Sequence, residues 1–318
     1  MPRILVTPRS LTATPHPAVL ALRQRGYELS YCQAGRMPDE AELIRLVPGV
    51  AGWLAGVETI SPAVIAAAGD LRVISRNGVG VDNLPLPLLA ERGIAVRVAQ
   101  GANAPGVAEL TIGLMLAALR HIPRADSGIK QGQWPRTIGR EIRGRKIGIV
   151  GCGAIGSEVA RLCHALGAQP LVHDPASELA ERLPFARAVS LAALILESDV
   201  ITLHCPAAPH GAALLGPAQF SAMRPGVALV NTARAALVDE AALRRALDAG
   251  QVACYAVDVF DQEPPCAGSL ASDPRVIATS HIGGYTEESV DRATAIAVAN
   301  LLDALEAPAQ GDSSCKSE

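Results

Sequence analysis

Aromatic side chains are nearly missing from this sequence: three Phe, four Tyr and two Trp, 3% of 318 residues. Any core must therefore be aliphatic, and Ala, Val, Leu and Ile must carry most of the 49% hydrophobic content. Cysteine lacks pattern rather than number. Seven stand at 32, 152, 163, 205, 254, 266 and 315, with no CxxC pair and no metal-ligand spacing. An odd, scattered set argues against a disulfide framework and a metal centre and fits a reducing, cytoplasmic compartment. Positive charge is not in excess: 28 Lys and Arg against 31 Asp and Glu leave a net charge of −3. No basic stripe advertises a nucleic-acid partner. Long apolar runs are lacking too. The longest, residues 107–122, contains Glu109 and Arg120. It is too short for a bilayer and reads as a buried helix. The opening "MPRILVTPRS" has no signal-peptide core and reads as a first strand. Residues 307–318, small and polar, read as frayed.

What the sequence has is alternation. A chain of this length suits two domains better than one core. Over the first hundred residues apolar strands such as "RILVTP", "AGWLAG" and "LRVISRNG" alternate with helices such as "SPAVIAAAGD", with Ser61 as N-cap and Pro62 at the first helical position. That pattern predicts a parallel sheet covered on both faces. The buried helix and an irregular, glycine-containing stretch around Trp134 come next. A second alternation then starts at "RKIGIVGCGAIG" and runs to about residue 281. A last amphipathic helix, roughly 286–305, follows, and the residues alone leave open which block it covers.

Within the second block, an apolar strand enters Gly151-x-Gly153-x-x-Gly156 and a helix leaves it. The first glycine suits a tight turn, the second a close approach to a pyrophosphate, the third close helix–strand packing. The helix start, with Ala154 and Ile155, offers N–H groups and a positive dipole end to the anion. Eighteen residues beyond Gly156, Asp174 ends a second strand. An acid there accepts the ribose hydroxyls and repels a 2′-phosphate, which favours NAD(H) over NADP(H). Cys152, inside the loop, reads as an inert small residue.

"VGCGAIG…HDP", "LHCP", "NTARAALVDEAAL", "DVFDQEPP" and "HIGG" occur in that order, and "SRNGVGVDN" and "GANAPGVAELTIGLMLAALR" extend the set toward the N-terminus. With them the chain resembles the D-isomer-specific 2-hydroxyacid dehydrogenases, in the branch like phosphoglycerate dehydrogenase. The resemblance implies a flavodoxin-like substrate domain, 1–100 plus 285–318, with a Rossmann NAD-binding domain, 101–284, inserted into it. It implies a cleft between them, return of the C-terminal helix to the first domain, and a homodimer through residues 100–145.

Reduction of a 2-keto acid needs a hydride at C2, a proton for the C2 oxygen and a grip on the carboxylate. His281 suits the proton donor, since an unperturbed imidazole titrates near pH 6.5. A carboxylate beside it would stabilise the imidazolium; by resemblance this is Glu263. The motif arginine maps to Arg234, whose guanidinium can hold the substrate carboxylate and polarise the carbonyl. By resemblance Asp258 bonds the nicotinamide carboxamide, and Thr232, Ala233, Gly283 and Gly284 line the same pocket. His204, Cys205 and Pro206 form a cofactor wall, and Thr111 reaches the pyrophosphate. On the substrate side Gly78, Val79 and Gly80 would present an anion nest, with Asn77 toward the variable end of the substrate.

Several positions depart from the family pattern. Ala235 and Ala236 follow Arg234 where Gly-Gly is common, and Ser280 stands where a proline often precedes the histidine. Ala55, Gly56 and Val57 occupy a loop where phosphoglycerate dehydrogenases often place an arginine, leaving Arg76 or Arg97 to support a phosphate. Two other readings stay open: an NAD-sensing corepressor-like scaffold and a phosphite dehydrogenase-like enzyme.

Overall fold

A computed structural model of the chain describes residues 1–14, 16–175, 182–207 and 211–307. The expectation of fraying at the C-terminus, Ala307 apart, lies outside the described residues, as do His210 and Cys315. The chain forms two compact units: Met1–Asn103 together with the chain from Glu287 onward, and Ala104–Thr286.

The first unit is built on β1 (Arg3–Val6), β2 (Glu28–Tyr31), β3 (Val50–Ala55), β4 (Val73–Arg76) and β5 (Ala95–Val98). They form one parallel sheet in the order β2-β1-β3-β4-β5. This is the flavodoxin-like order. Side chains alternate between its faces, as the pleat requires. Leu5 and Trp53 join one core with Val64 and Leu89, while Ile4, Val6 and Leu54 join the other with Leu22. The helix Glu287–Glu306 lies on that second face, where Ala297, Val298, Leu301 and Leu305 complete the core. Gly52 makes room for it, since a Cβ there would stand 3.0 Å from Cδ1 of both Leu301 and Leu305. Ser75 Oγ donates to the Ala297 carbonyl at 2.7 Å and fixes its height.

The second unit holds β6 (Lys146–Val150), β7 (Gln169–His173), β8 (Arg187–Ala188), β9 (Val200–Leu203), β10 (Val227–Asn231), β11 (Val252–Val257) and β12 (Val276–Ala278). All pair in parallel, in the order β12-β11-β10-β9-β6-β7-β8. From β8 to β11 this is the doubly wound Rossmann order, reversing direction between β6 and β9. The helices Ala104–Arg120 and Ala154–Ala165 cover one face through Met115, Leu119, Val159 and Cys163. The other face packs on Leu194, Phe220 and Leu243. Among the described residues no helix is long and apolar enough to cross a membrane.

One expected boundary is corrected. The stretch read as irregular begins as a helix, Ile122–Lys130, entered through His121 at φ 54°. Pro123 falls in its first turn, where a missing N–H costs nothing. Gly128 is no breaker there, because a Cβ would come within 2.5 Å of Pro135 Cγ. The glycine admits a proline that folds back against the helix.

Candidate active site and dinucleotide site

The three motif glycines have three different reasons to be glycine. Gly151 sits at φ +90°, and a Cβ would meet the His204 carbonyl at 2.6 Å. Gly156 lies in the first turn of the helix Ala154–Ala165, where a Cβ would overlap the Gly151 carbonyl oxygen. Gly153 has neither constraint. Its φ is −69° and a Cβ there meets nothing within 4 Å. The protein's own packing does not require glycine at 153, and the open space in front of it leaves room for a close approach. A pyrophosphate on the amides of the helix start, Ala154 and Ile155 among them, can make that approach, and the residues present fit a dinucleotide. The loop stands at the sheet's switch point, where open α/β folds bind ligands.

Three contacts brace this loop. Asp174, just past β7, accepts the Cys152 N–H at Oδ2 over 2.5 Å. Ser157 Oγ donates to the Cys152 carbonyl at 3.0 Å, and Arg182 reaches Ser157 Oγ at 2.9 Å. Burial raises the thiol pKa of both Cys152 and Cys205, which keeps them protonated and inert. His204, just beyond β9, bonds Thr202 Oγ1 through Nε2 at 2.9 Å, while its Nδ1 is buried without a partner among the described residues. Desolvation holds this imidazole down to about 3, so it is neutral at physiological pH and cannot supply a proton. Its backbone forms the wall against Gly151, with half-buried Cys205 and exposed Pro206 next along the chain.

At the other end of the same carboxyl edge, Glu263 and His281 meet. His281 Nδ1 lies 3.0 and 2.9 Å from the two oxygens of Glu263. The carboxylate is held from behind, since Oε1 also accepts the Phe260 N–H at 3.1 Å. The Glu263–Pro264 peptide is cis. His281 adopts φ 55°, a left-handed conformation uncommon outside glycine. Asp258, just past β11 and fully buried, over-determines that turn. Its Oδ1 accepts from Thr279 Oγ1 at 2.6 Å and from the Ile282 N–H at 2.9 Å; its Oδ2 accepts from the Gly283 N–H at 2.8 Å. Gly283 is needed for this approach, because a Cβ would stand 3.1 Å from Oδ2. The chain turns back through Gly284, with the Tyr285 N–H on the Ile282 carbonyl at 2.9 Å. Asp258 is thus first a brace for the histidine turn, with acceptor capacity left at Oδ2.

Between these ends, β10 delivers Thr232, Ala233 and Arg234. Asn231 shapes their turn: its Oδ1 accepts the Ala233 N–H at 3.0 Å and its Nδ2 donates to the Arg234 carbonyl at 2.8 Å. Arg234 itself is half-buried, with Nη1 on the Ala233 carbonyl at 2.7 Å. The expectation for Thr111 is corrected. Its side chain is fully buried, and its hydroxyl is engaged by the Val107 carbonyl at 2.7 Å and Thr232 Oγ1 at 3.0 Å. It ties the helix Ala104–Arg120 to the β10 turn instead of reaching a pyrophosphate.

The sequence reading missed Thr279, Asn231, Ser157 and Arg182. Asn231 had a signal, because an Asn capping an amide two residues on is a recognised turn device. The other three had none, since their roles depend on distant partners.

In the first unit, the loop after β4 is tied by Arg76, whose Nε donates to the Gly80 carbonyl at 2.8 Å and Nη1 to that of Ala55 at 3.4 Å. Arg76 is therefore a loop brace, and its reading as a phosphate ligand is withdrawn. The amides of Gly78, Val79 and Gly80 are half-buried and have no acceptor among the described residues. Asn77 receives Thr294 Oγ1 at 3.4 Å. Glu58, almost fully buried, accepts the Gly56 N–H at 3.0 Å and sets a carboxylate behind the loop that lacks an arginine. Among the described residues no cluster of three or more His, Cys, Asp or Glu is placed to hold a metal.

A doubly wound sheet, a glycine-lined helix start at its switch point and a carboxylate–imidazole pair on the same edge define a Rossmann-type dinucleotide-binding unit. Residues 112–283 match the model of the D-isomer specific 2-hydroxyacid dehydrogenase NAD binding domain. The chain belongs to the D-isomer-specific 2-hydroxyacid dehydrogenase family, and its second unit contains the family's NAD-binding domain. It is 42% identical over 278 residues to a D-3-phosphoglycerate dehydrogenase of Archaeoglobus fulgidus, covering 86% of this chain and 52% of that one. This chain thus spans about half the length of that relative. It is 38% identical over 260 residues to a hydroxypyruvate reductase of Thermotoga maritima, covering 80% and 84%. A glyoxylate reductase structure from Paecilomyes thermophila superimposes with a TM-score of 0.85 at 29% identity, covering 96% of each chain.

Proposed function

We propose that the chain is an NAD-dependent oxidoreductase interconverting a small D-2-hydroxy acid and its 2-keto acid. The observation that carries this reading is the His281–Glu263 pair, held at 2.9 Å on the carboxyl edge that also bears the glycine loop. Bound NADH supplies the hydride to C2. With Nδ1–H donated to Glu263, His281 keeps Nε2 as the nitrogen that gives a proton to the C2 oxygen, and takes it back in the reverse direction. Glu263 steadies the imidazolium once the proton has returned. Arg234 binds the carboxylate and polarises the carbonyl with its fork. Gly78, Val79 and Gly80 act as a further carboxylate nest, with Asn77 toward the side chain of the substrate.

Asp174 and the amides at Gly153 to Gly156 hold NAD(H). Thr232, Ala233, Gly283 and Gly284 line its nicotinamide end, with Asp258 offering Oδ2 to the carboxamide and His204, Cys205 and Pro206 walling the other side. The first unit is then the substrate domain and the second the cofactor domain. Ala55 to Val57 carry no cationic side chain of their own, and the Arg76 guanidinium beside them bonds backbone carbonyls, which supports an unphosphorylated acid. We place the enzyme in the cytoplasm, where its free thiols stay reduced. It acts as a homodimer through residues 100–145, where Trp134 and Ile138 are 79% and 94% exposed.

The test is NADH oxidation, followed by absorbance, with glyoxylate, hydroxypyruvate, pyruvate, phosphohydroxypyruvate and sulfopyruvate. Turnover of an unphosphorylated acid is expected. Turnover of phosphohydroxypyruvate alone would overturn the substrate class, and turnover of none would overturn the enzyme.

A further inference from the structure

A cavity of about 180 Å3 in the second unit is lined by Phe260, Asp261, Gln262 and Pro265, the residues on either side of Glu263, which itself does not line it. Its walls are apolar: Leu243, Val257, Val259 and Leu270 among them. A comparable apolar cavity, about 150 Å3, accommodates a benzene ring. This one is not purely apolar. The Tyr255 hydroxyl accepts Asn231 Nδ2 at 3.3 Å and keeps its own hydrogen to donate. Ser269 also lines the cavity, but its Oγ is buried out of reach of an occupant. Exposed Asp261 and Glu240 stand at the rim. Glu240 is compensated by Arg244 at 3.3 Å, while Asp261 has no basic partner among the described residues. Burial first, and the charges of these two acids after it, push the Tyr255 phenol well above its ordinary range, so it remains a donor.

A neutral arene would fill the walls and ignore the rim. A carboxylate would be repelled by it. An ammonium on a short tail finds an opposite charge at Asp261 while its ring takes the apolar walls. We propose that this cavity binds a small amine with an aromatic or branched aliphatic body, and that the occupant acts on the segment that holds Glu263. The link is direct: Phe260 lines the cavity and donates its N–H to Glu263 Oε1, whose carboxylate holds His281.

Calorimetric titration of the full chain with benzylamine, benzyl alcohol and benzoate tests the site. Benzylamine should bind in the millimolar range or tighter, as suits so small a ligand, and at least ten-fold better than benzoate. Asp261→Asn should weaken benzylamine at least five-fold, leave benzyl alcohol unchanged and leave keto-acid turnover without amine at the wild-type rate. Ala271→Phe, which places a ring in the cavity, should abolish binding at an unchanged Tm. At saturation the His281 ring-proton resonances should shift in the wild type and not in Ala271→Phe. Equal binding of benzoate, or undiminished benzylamine binding by Asp261→Asn, overturns the site even if Ala271→Phe does not fold. Unmoved His281 resonances at saturation overturn the coupling. Binding is read without NADH, so its failure is separate from failure of the proposed reaction.

Discussion

A histidine at φ 55° keeps that conformation only because its neighbours are pinned. Asp258 does the pinning through Thr279, Ile282 and Gly283, so one buried carboxylate aims the imidazole that a second, exposed carboxylate holds. The three acids of "DVFDQEPP" thus divide by position: Asp258 pins the turn, Glu263 contacts the imidazole, and Asp261 sits at the rim of a cavity. In the proposed reaction, His281→Gln should lower keto-acid turnover by roughly 10² to 10⁴, while NADH affinity, read by fluorescence titration, stays within about two-fold because the glycine loop is untouched. Equal loss of both would remove His281 from the chemistry. Glu263 and His281 were legible as residues because each sits in a short motif with a partner of known type. The bracing use of Asp258 was not, because it depends on a turn 21 to 25 residues further on. Thr111 was misread for a related cause. A hydroxyl on an apolar helix gives no sign of which way it faces, and here it faces inward.

At the scale of elements, the fold constrains the glycines of one loop very differently. Gly156→Ala would drive a methyl into the Gly151 carbonyl, so it should destabilise the second unit by about 1–3 kcal/mol or more, the ordinary cost of overpacking. Gly153→Ala meets open space at an ordinary φ. Its stability in urea should change by less than about 0.5 kcal/mol, the range of substitutions that touch nothing, while NADH binding falls ten-fold or more. Normal NADH binding by Gly153→Ala would mean that no phosphate approaches there. The alternation of strands and helices was readable because buried parallel strands are continuous apolar runs bounded by turn residues. The helix Ile122–Lys130 was not, since Pro123 and Gly128 both look like breakers. Only the packing of Pro135 against Gly128 reveals that the glycine is a contact.

For the molecule as a whole, the exposed apolar side chains of the segment after the helix Ala104–Arg120 set an expectation about assembly. Ile122, Ile129, Trp134 and Ile138 are each more than half exposed. In the proposed dimer they are covered, so Ile138→Asp combined with Trp134→Ala should convert a dimer to a monomer by light scattering, without loss of helical signal. A monomeric wild type would overturn that part of the reading. The first unit carries a different consequence. Its sheet is begun by β1, yet one face is completed only by Leu301, Leu305 and their neighbours on the helix Glu287–Glu306. During synthesis at about 5–20 residues per second, the Ile4, Val6 and Leu54 face is covered only in part, by Leu22 and its neighbours, for roughly ten to forty seconds while the second unit is made. The second unit has all its strands and can close first. The unit whose strands are made before the second unit is thus the last to finish folding, and for that interval its partly bare apolar face is a client for a chaperone.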